Sequence, residues 1–153
     1  MSSIRATPPA PLPPVLVVTH VETHAALVRD TLGAAGLANP VVSVSGAVAA
    51  AAYVAGRGRF RDRHRHPLPA VVVTDLRLGG SNAAEVLESL AAARAGDLPV
   101  LVVGDDATDA EIEAVHQLGA AAYLARAVLG RALVDVIRGL GMRWSLAPVA
   151  AAR

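Results

Sequence analysis

Val71-Val72-Val73-Thr74-Asp75-Leu76-Arg77-Leu78 is the stretch around which the rest of the chain is arranged. Pro67 and Pro69 precede it and Gly79-Gly80 follows it. An apolar run of this length between turn residues predicts a strand buried on both faces. One carboxylate, Asp75, stands where the run ends. In open α/β sheets the carboxyl ends of parallel strands face the crevice that holds ligand or chemistry. Asp75 is therefore the first candidate site residue.

Working outward, the same alternation recurs on both sides. Val15-Leu16-Val17-Val18 predicts a first strand, and Val21, Ala25, Val28 and Leu32 follow at helical spacing. Thr19-x-x-Glu22 has the form of a capping box for that helix. Val41 to Val44 is a second strand. An Ala-rich segment follows, with Val48, Ala51, Ala52 and Val54 as its apolar face and Gly56 as its stop. Beyond the central strand, Asn82-x-x-Glu85 opens a third helix with Val86, Leu87, Leu90 and Ala91 inward. Gly96-Asp97 turns the chain, and Val100 to Val103 is a fourth strand. Thr108-x-x-Glu111 caps a fourth helix with Ile112, Val115 and Leu118 inward. Ala121 to Leu124 is a fifth strand. Leu129, Leu133, Val136, Ile137 and Leu140 line a fifth helix that Gly141 stops.

Five strand–helix repeats predict an α/β fold: a parallel five-stranded sheet with helices on both faces, joined by right-handed crossovers. The flavodoxin-like strand order 2-1-3-4-5 would gather Thr19, His20, Asp75, Gly104, Asp105 and Arg126 around one crevice. Residues 1–14, with their proline run, are expected to be a disordered tail, 15–144 one domain and 145–153 a frayed C-terminal tail.

Composition narrows the function classes. Net charge is +1, so bulk charge does not point to nucleic acid. There is no cysteine, which excludes disulfides and thiolate metal sites. No apolar stretch reaches membrane-spanning length and the N-terminus has no secretory apolar core, so a cytoplasmic protein is expected. All 14 basic residues are Arg. Five of them lie in Arg57-Gly58-Arg59-Phe60-Arg61-Asp62-Arg63-His64-Arg65-His66, which is expected to be a solvated loop.

The chain resembles the receiver domains of two-component response regulators from about Val15 to Trp144. Asp75-Leu-Arg-Leu-Gly-Gly-Ser-Asn-Ala-Ala-Glu-Val-Leu resembles the phosphoacceptor strand and its loop. Leu98-Pro-Val-Leu-Val-Val resembles strand four, and Leu118-Gly-Ala-Ala-Ala-Tyr-Leu the approach to strand five. The segment from Gly56 to Pro69 and the ending Leu140-Gly-Met-Arg-Trp144 resemble a stand-alone subgroup associated with phytochrome-type histidine kinases.

The resemblance implies that Asp75 stands at the phosphoacceptor position. It also implies an acid pair for Mg²⁺ after strand one, a hydroxyl after strand four and a Lys after strand five. Those positions hold Thr19 and His20, Gly104, and Arg126 followed by Ala127. Tyr123 stands at the switch aromatic. Mg²⁺ wants oxygen ligands with one or two carboxylates, and Arg is no simple replacement for Lys. Asp75 is therefore expected to be a vestige paired with Arg126 or Arg77.

Asp75 and Asp105 are weak metal candidates, with Asp105 and Asp106 read first as turn residues. Thr19 is read first as a helix cap. His20 and His24 could share a transition metal but lack a third ligand. His64, His66 and His116 are expected at the surface, and Tyr123 and Trp144 in packing or an interface.

Three readings follow. The first is a degenerate receiver-like signalling protein, not an enzyme and without a cofactor. It would act through a protein partner such as a histidine kinase, with no nucleic acid and no membrane. No appended DNA-binding segment is expected, which argues against a direct transcription factor. Ala121, Ala122, Ala125, Ala127 and Val128 could form a homodimer face across helix 4, strand 5 and helix 5, or could be core. The second reading is a working Mg²⁺-dependent phosphoacceptor at Asp75. The third is a flavodoxin-like domain binding a small ligand.

Overall fold

The computed structural model describes residues 12–93 and 97–140. Five parallel strands form the sheet: β1 (Val15–Val18), β2 (Val41–Val44), β3 (Val71–Asp75), β4 (Val100–Gly104) and β5 (Ala122–Ala125). Their spatial order is β2-β1-β3-β4-β5, as the alternation predicts. The tails at 1–11 and 141–153, with Trp144, and the turn residue Gly96 lie outside the described residues.

Alternate residues of each strand enter opposite cores. Leu16, Val18, Val72, Val100 and Val102 face helices α2 (Ala47–Ala55), α3 (Ala83–Ala92) and α4 (Asp109–Gln117). Val15, Val17, Val71, Val73, Leu101 and Val103 face α1 (Glu22–Ala34) and α5 (Leu129–Gly139). β1, β3 and β4 are buried at every residue. Each valine so buried contributes about 1.5–3 kcal/mol over leaving it in water, which is why an unbroken apolar run becomes a central strand.

The pairings Val18↔Thr74 and Asp75↔Val103 bring the ends of β1, β3 and β4 level. Thr19, Asp75, Gly104 and Asp105 thus reach the same edge. A two-strand antiparallel hairpin, Arg77–Leu78 with Ser81–Asn82, covers part of that edge.

Several local expectations change. α1 begins at Glu22 with Val21 as its cap residue and no side-chain cap, so Thr19-x-x-Glu22 is not a capping box. Asn82 and Thr108 do cap α3 and α4, each accepting from the backbone N–H three residues on, and Thr108 with Glu111 completes a capping box. On α2 the buried face is Ala47, Ala50, Ala51, Tyr53 and Val54, while Val48 is 86% exposed. On α3 Ala83 is buried and Ala91 exposed. α4 buries Val115, with Ile112 half-buried and Leu118 40% exposed. Short Ala-rich helices have no strong apolar stripe, so neighbouring elements choose which face is covered.

The Arg-rich segment is not a plain solvated loop. Gly56 adopts φ +68 as the left-handed stop of α2. The Arg63 guanidinium lies over it, so close that a Cβ there would stand 2.7 Å from Arg63 Nε. Arg63 donates to the carbonyls of Tyr53 (2.7 Å) and Val54 in the last turn of α2, and to that of His66 (2.9 Å) in the loop. Phe60 is buried, and Tyr53, Phe60 and His66 pack edge to face, so His66 is not simply solvated. His64 and His116 are exposed, as expected.

Candidate functional site: a carboxylate held by three donors

Asp75 ends β3 and is 4% exposed. A carboxylate this buried needs partners, because desolvating an unpaired charge is costly. It has three. Thr19 Oγ1 donates to Asp75 Oδ2 at 2.6 Å. His24 Nδ1 lies 2.8 Å from the same oxygen. Arg126 Nη2 donates to Oδ1 at 3.0 Å. With Asp75 ionised the carboxylate only accepts, and His24 Nδ1 is then the donor.

Each donor is set by its element. Thr19 follows the last residue of β1, and its Oγ1 also accepts the Val21 N–H at 3.0 Å, which orients the hydroxyl toward Asp75. His24 sits in the first turn of α1, above the β1 and β3 ends. Arg126 begins the short 3₁₀ turn after β5, and its Nε donates to Asp105 Oδ2 at 3.0 Å. One guanidinium thus bridges the acids at the ends of β3 and β4. The planar fork of Arg suits this double pairing in a way that a Lys ammonium does not.

The predicted residues divide accordingly. Thr19, Asp75, Asp105 and Arg126 are joined by hydrogen bonds, whereas His20 packs against Gly79, with its ring about 3.4 Å from where a Cβ there would stand. Arg77 does not hold Asp75. It pairs with Glu111 through Nη1 at 2.5 Å and Nη2 at 3.1 Å. Arg77 and Thr108 together hold the Glu111 carboxyl down at about 2. Asp105 is a partner of Arg126 as well as a turn residue, and Asp106, at φ 51, makes the turn. His24, noted in the sequence only as a companion of His20, is the residue the sequence reading missed. Its signal was its place one turn into α1, but the contact spans 51 residues and exists only once the sheet forms.

Gly104 has its own consequence. A Cβ built there would stand 2.8 Å from the Tyr123 hydroxyl and 3.1 Å from Leu76 Cβ. Tyr123 therefore lies inward, with its hydroxyl in the space a side chain at 104 would need. Burial pushes its phenol above the ordinary value of 10.0. A cavity of about 310 Å³ opens beside Asp75, lined by His20, His24, Gly79, Gly104, Asp105 and Arg126 among others. Among the described residues, no group of three or more His, Asp or Glu is arranged to hold a metal ion. No helix among them is long and apolar enough to cross a membrane.

No family model matches the chain. Among solved structures, the bacteriophytochrome response regulator RtBRR matches with 28% identity and a TM-score of 0.71, over 88% of this chain and 81% of its own. The bacteriophytochrome response regulator AtBRR matches with 26% identity and a TM-score of 0.71, over 88% and 96%. A response regulator in red light signaling of R. palustris matches with 25% identity and a TM-score of 0.67, over 84% and 89%. One curated relative, the sensory/regulatory protein RpfC of Xanthomonas campestris pv. campestris (strain 8004), is 35% identical over 74 residues. That match spans 46% of this chain and only a tenth of RpfC. In its fold, its strand order and these likenesses, the chain is similar to response-regulator receiver domains.

Proposed function

We propose that this protein is an atypical receiver that works in signal transduction by binding a protein partner, with little or no phosphotransfer. The observation that carries the reading is the occupation of Asp75 by three donors. An acceptor carboxylate must present a free oxygen in line with the phosphorus, and phosphoryl transfer rests on positioning and on neutralising charge. Here both oxygens are engaged by Thr19, His24 and Arg126. Attack would require breaking these bonds.

The donor set does not fit Mg²⁺. That ion demands near-octahedral oxygen ligands and usually one or two carboxylates. Asp75 is surrounded by a hydroxyl, an imidazole N–H and a guanidinium, and Asp105 is tied to Arg126. The Arg126 guanidinium already pairs with the carboxylate, so a divalent cation would have to displace it along with the Thr19 and His24 contacts. Function then rests on surfaces, and the partner is a protein such as a histidine kinase, in the cytoplasm. No catalytic step is assigned to the chain.

The test is labelling with acetyl phosphate and Mg²⁺, with Mg²⁺ titration calorimetry beside it. No phosphoprotein and no binding heat are expected. Mg²⁺-dependent labelling that Asp75→Asn abolishes would establish the second reading, a working phosphoacceptor. The open cavity beside Asp75 is what favours that alternative.

A further inference from the structure

The Arg-rich segment has charge that the fold does not use. Of 14 basic and 13 acidic residues, five arginines and one aspartate lie within 57–66, so the rest of the chain carries a net −3. Only Arg63 of the five is consumed by structure, as the clamp on the end of α2. Arg57, Arg59, Arg61 and Arg65 are exposed and form no ion pair among the described residues. Asp62 accepts from the backbone N–H groups of His64 and Arg65, which hold its carboxyl below the ordinary 3.8.

These arginines border a groove of about 700 Å³ between the N-terminal half of α2 and the loop. Its lining is mainly apolar, with Val48, Ala49 and Ala52 of α2 and the largely buried Phe60. Val48 is 86% exposed there, a solvated valine on an otherwise well-packed helix. Arg57 and Arg59 form the charged rim, and the Arg59 guanidinium is stacked 4.6 Å above the Phe60 ring. That stacking holds a cation over an apolar floor at little entropic cost. Glu85 also lines the groove, its carboxylate accepting from Ser81 Oγ at 2.7 Å, so Arg57 and Arg59 leave the lining one positive charge in excess. Arg59 lines in addition a smaller pocket with Thr19 and His20, so the groove runs to the border of the Asp75 site.

We propose that this groove is a docking site for an acidic segment of a partner protein, one that seats an aliphatic side chain on Val48 between carboxylates facing Arg57 and Arg59. Charge complementarity selects the occupant. A net-cationic rim repels basic partners, and the apolar floor rewards an inserted side chain that a phosphate backbone lacks. The proposal rests on the interaction-module reading and narrows it to a surface and a partner chemistry.

The probe is a fluorescein-labelled peptide of about a dozen residues in which leucines alternate with glutamate pairs, read by anisotropy against the full chain. Binding is expected, weakening about tenfold or more between low and high ionic strength as the rim charges are screened. Arg57→Glu with Arg59→Glu should cost about tenfold in affinity, and Val48→Asp a comparable amount. Arg131→Glu, a single charge reversal on the exposed side of α5, should leave binding unchanged. Circular dichroism and melting of each variant exclude unfolding, and Arg63 is left intact because it closes α2.

No peptide binding, equal binding by a leucine-to-serine peptide, or equal loss in Arg131→Glu would overturn the assignment. So would double-stranded DNA binding with the same arginine dependence in place of the peptide. Phosphotransfer to Asp75 would overturn the interaction-module reading while leaving the peptide result intact, so the two failures are distinguishable.

Discussion

Replacing Asp75 by Ala should destabilise the protein substantially. The carboxylate accepts from Thr19 at 2.6 Å, His24 at 2.8 Å and Arg126 at 3.0 Å. Removing one member of a buried ionic cluster typically costs about 3–5 kcal/mol, because the remaining groups lose their partner but stay desolvated. Two features reduce that figure here. The His24 and Arg126 side chains are 25% and 16% exposed, so water entering from the adjoining cavity can solvate them. Arg126 also keeps Asp105. A loss of about 2–4 kcal/mol remains, or about 4–16 °C in melting temperature for a domain of this size. Urea denaturation at constant m-value and thermal melting would measure it. A site in which acids crowded the acceptor would respond in the opposite sense, since deleting one carboxylate would relieve repulsion. An unchanged or raised melting temperature would therefore refute the view that Asp75 is held by donors. Thr19→Val, which removes one donor while keeping shape, should cost about 1 kcal/mol and provides an internal scale.

Three further outcomes are expected. Gly104→Ala should push the Tyr123 hydroxyl outward, since the new Cβ would meet it at 2.8 Å; alkaline spectroscopic titration should then show the phenol returning toward 10.0. Tyr53→Phe should stabilise the fold by about 1 kcal/mol, because its buried hydroxyl has no partner among the described residues. Burial raises the Tyr53 phenol, so the native fold is penalised once pH climbs past 10.0, and the Phe variant should lose less stability at alkaline pH in denaturant titrations. Glu111 is depressed from 4.5 to about 2, so its stabilisation is present above 4.5 and fades as pH falls toward 2. NMR titration of Arg77→Gln should find that carboxyl moved back up, and an unmoved value would rule out Arg77 as the main cause.

The crevice residues were legible because β1, β3 and β4 announce themselves as apolar runs, and whatever follows a parallel strand lands at one edge. Thr19, Asp75, Gly104, Asp105 and Arg126 could be placed together by counting alone. Their bonding could not. Thr19 looked like a helix cap because Glu22 stands three residues on, yet its hydroxyl turns to a carboxylate 56 residues away. Arg77 and Arg126 were equal candidates for Asp75 in one dimension. The hairpin at 77–82 sends Arg77 toward α4 and Glu111, while the turn after β5 points Arg126 inward.

What the amino-acid sequence determined by itself was therefore the order of elements, the sheet and the position of the acid. These follow from local periodicity, turn residues and burial of valine-rich runs, all of which are written along the chain. Only the tertiary structure decided that Asp75 is occupied, that Tyr123 fills the space above Gly104, that Arg63 is spent on α2 and that the alanines at 121, 125 and 127 are surface rather than core. Those outcomes depend on which side chains arrive within about 3 Å of each other, and hydrogen bonds weaken steeply outside such distances and angles. Spacing along a chain carries no information at that scale.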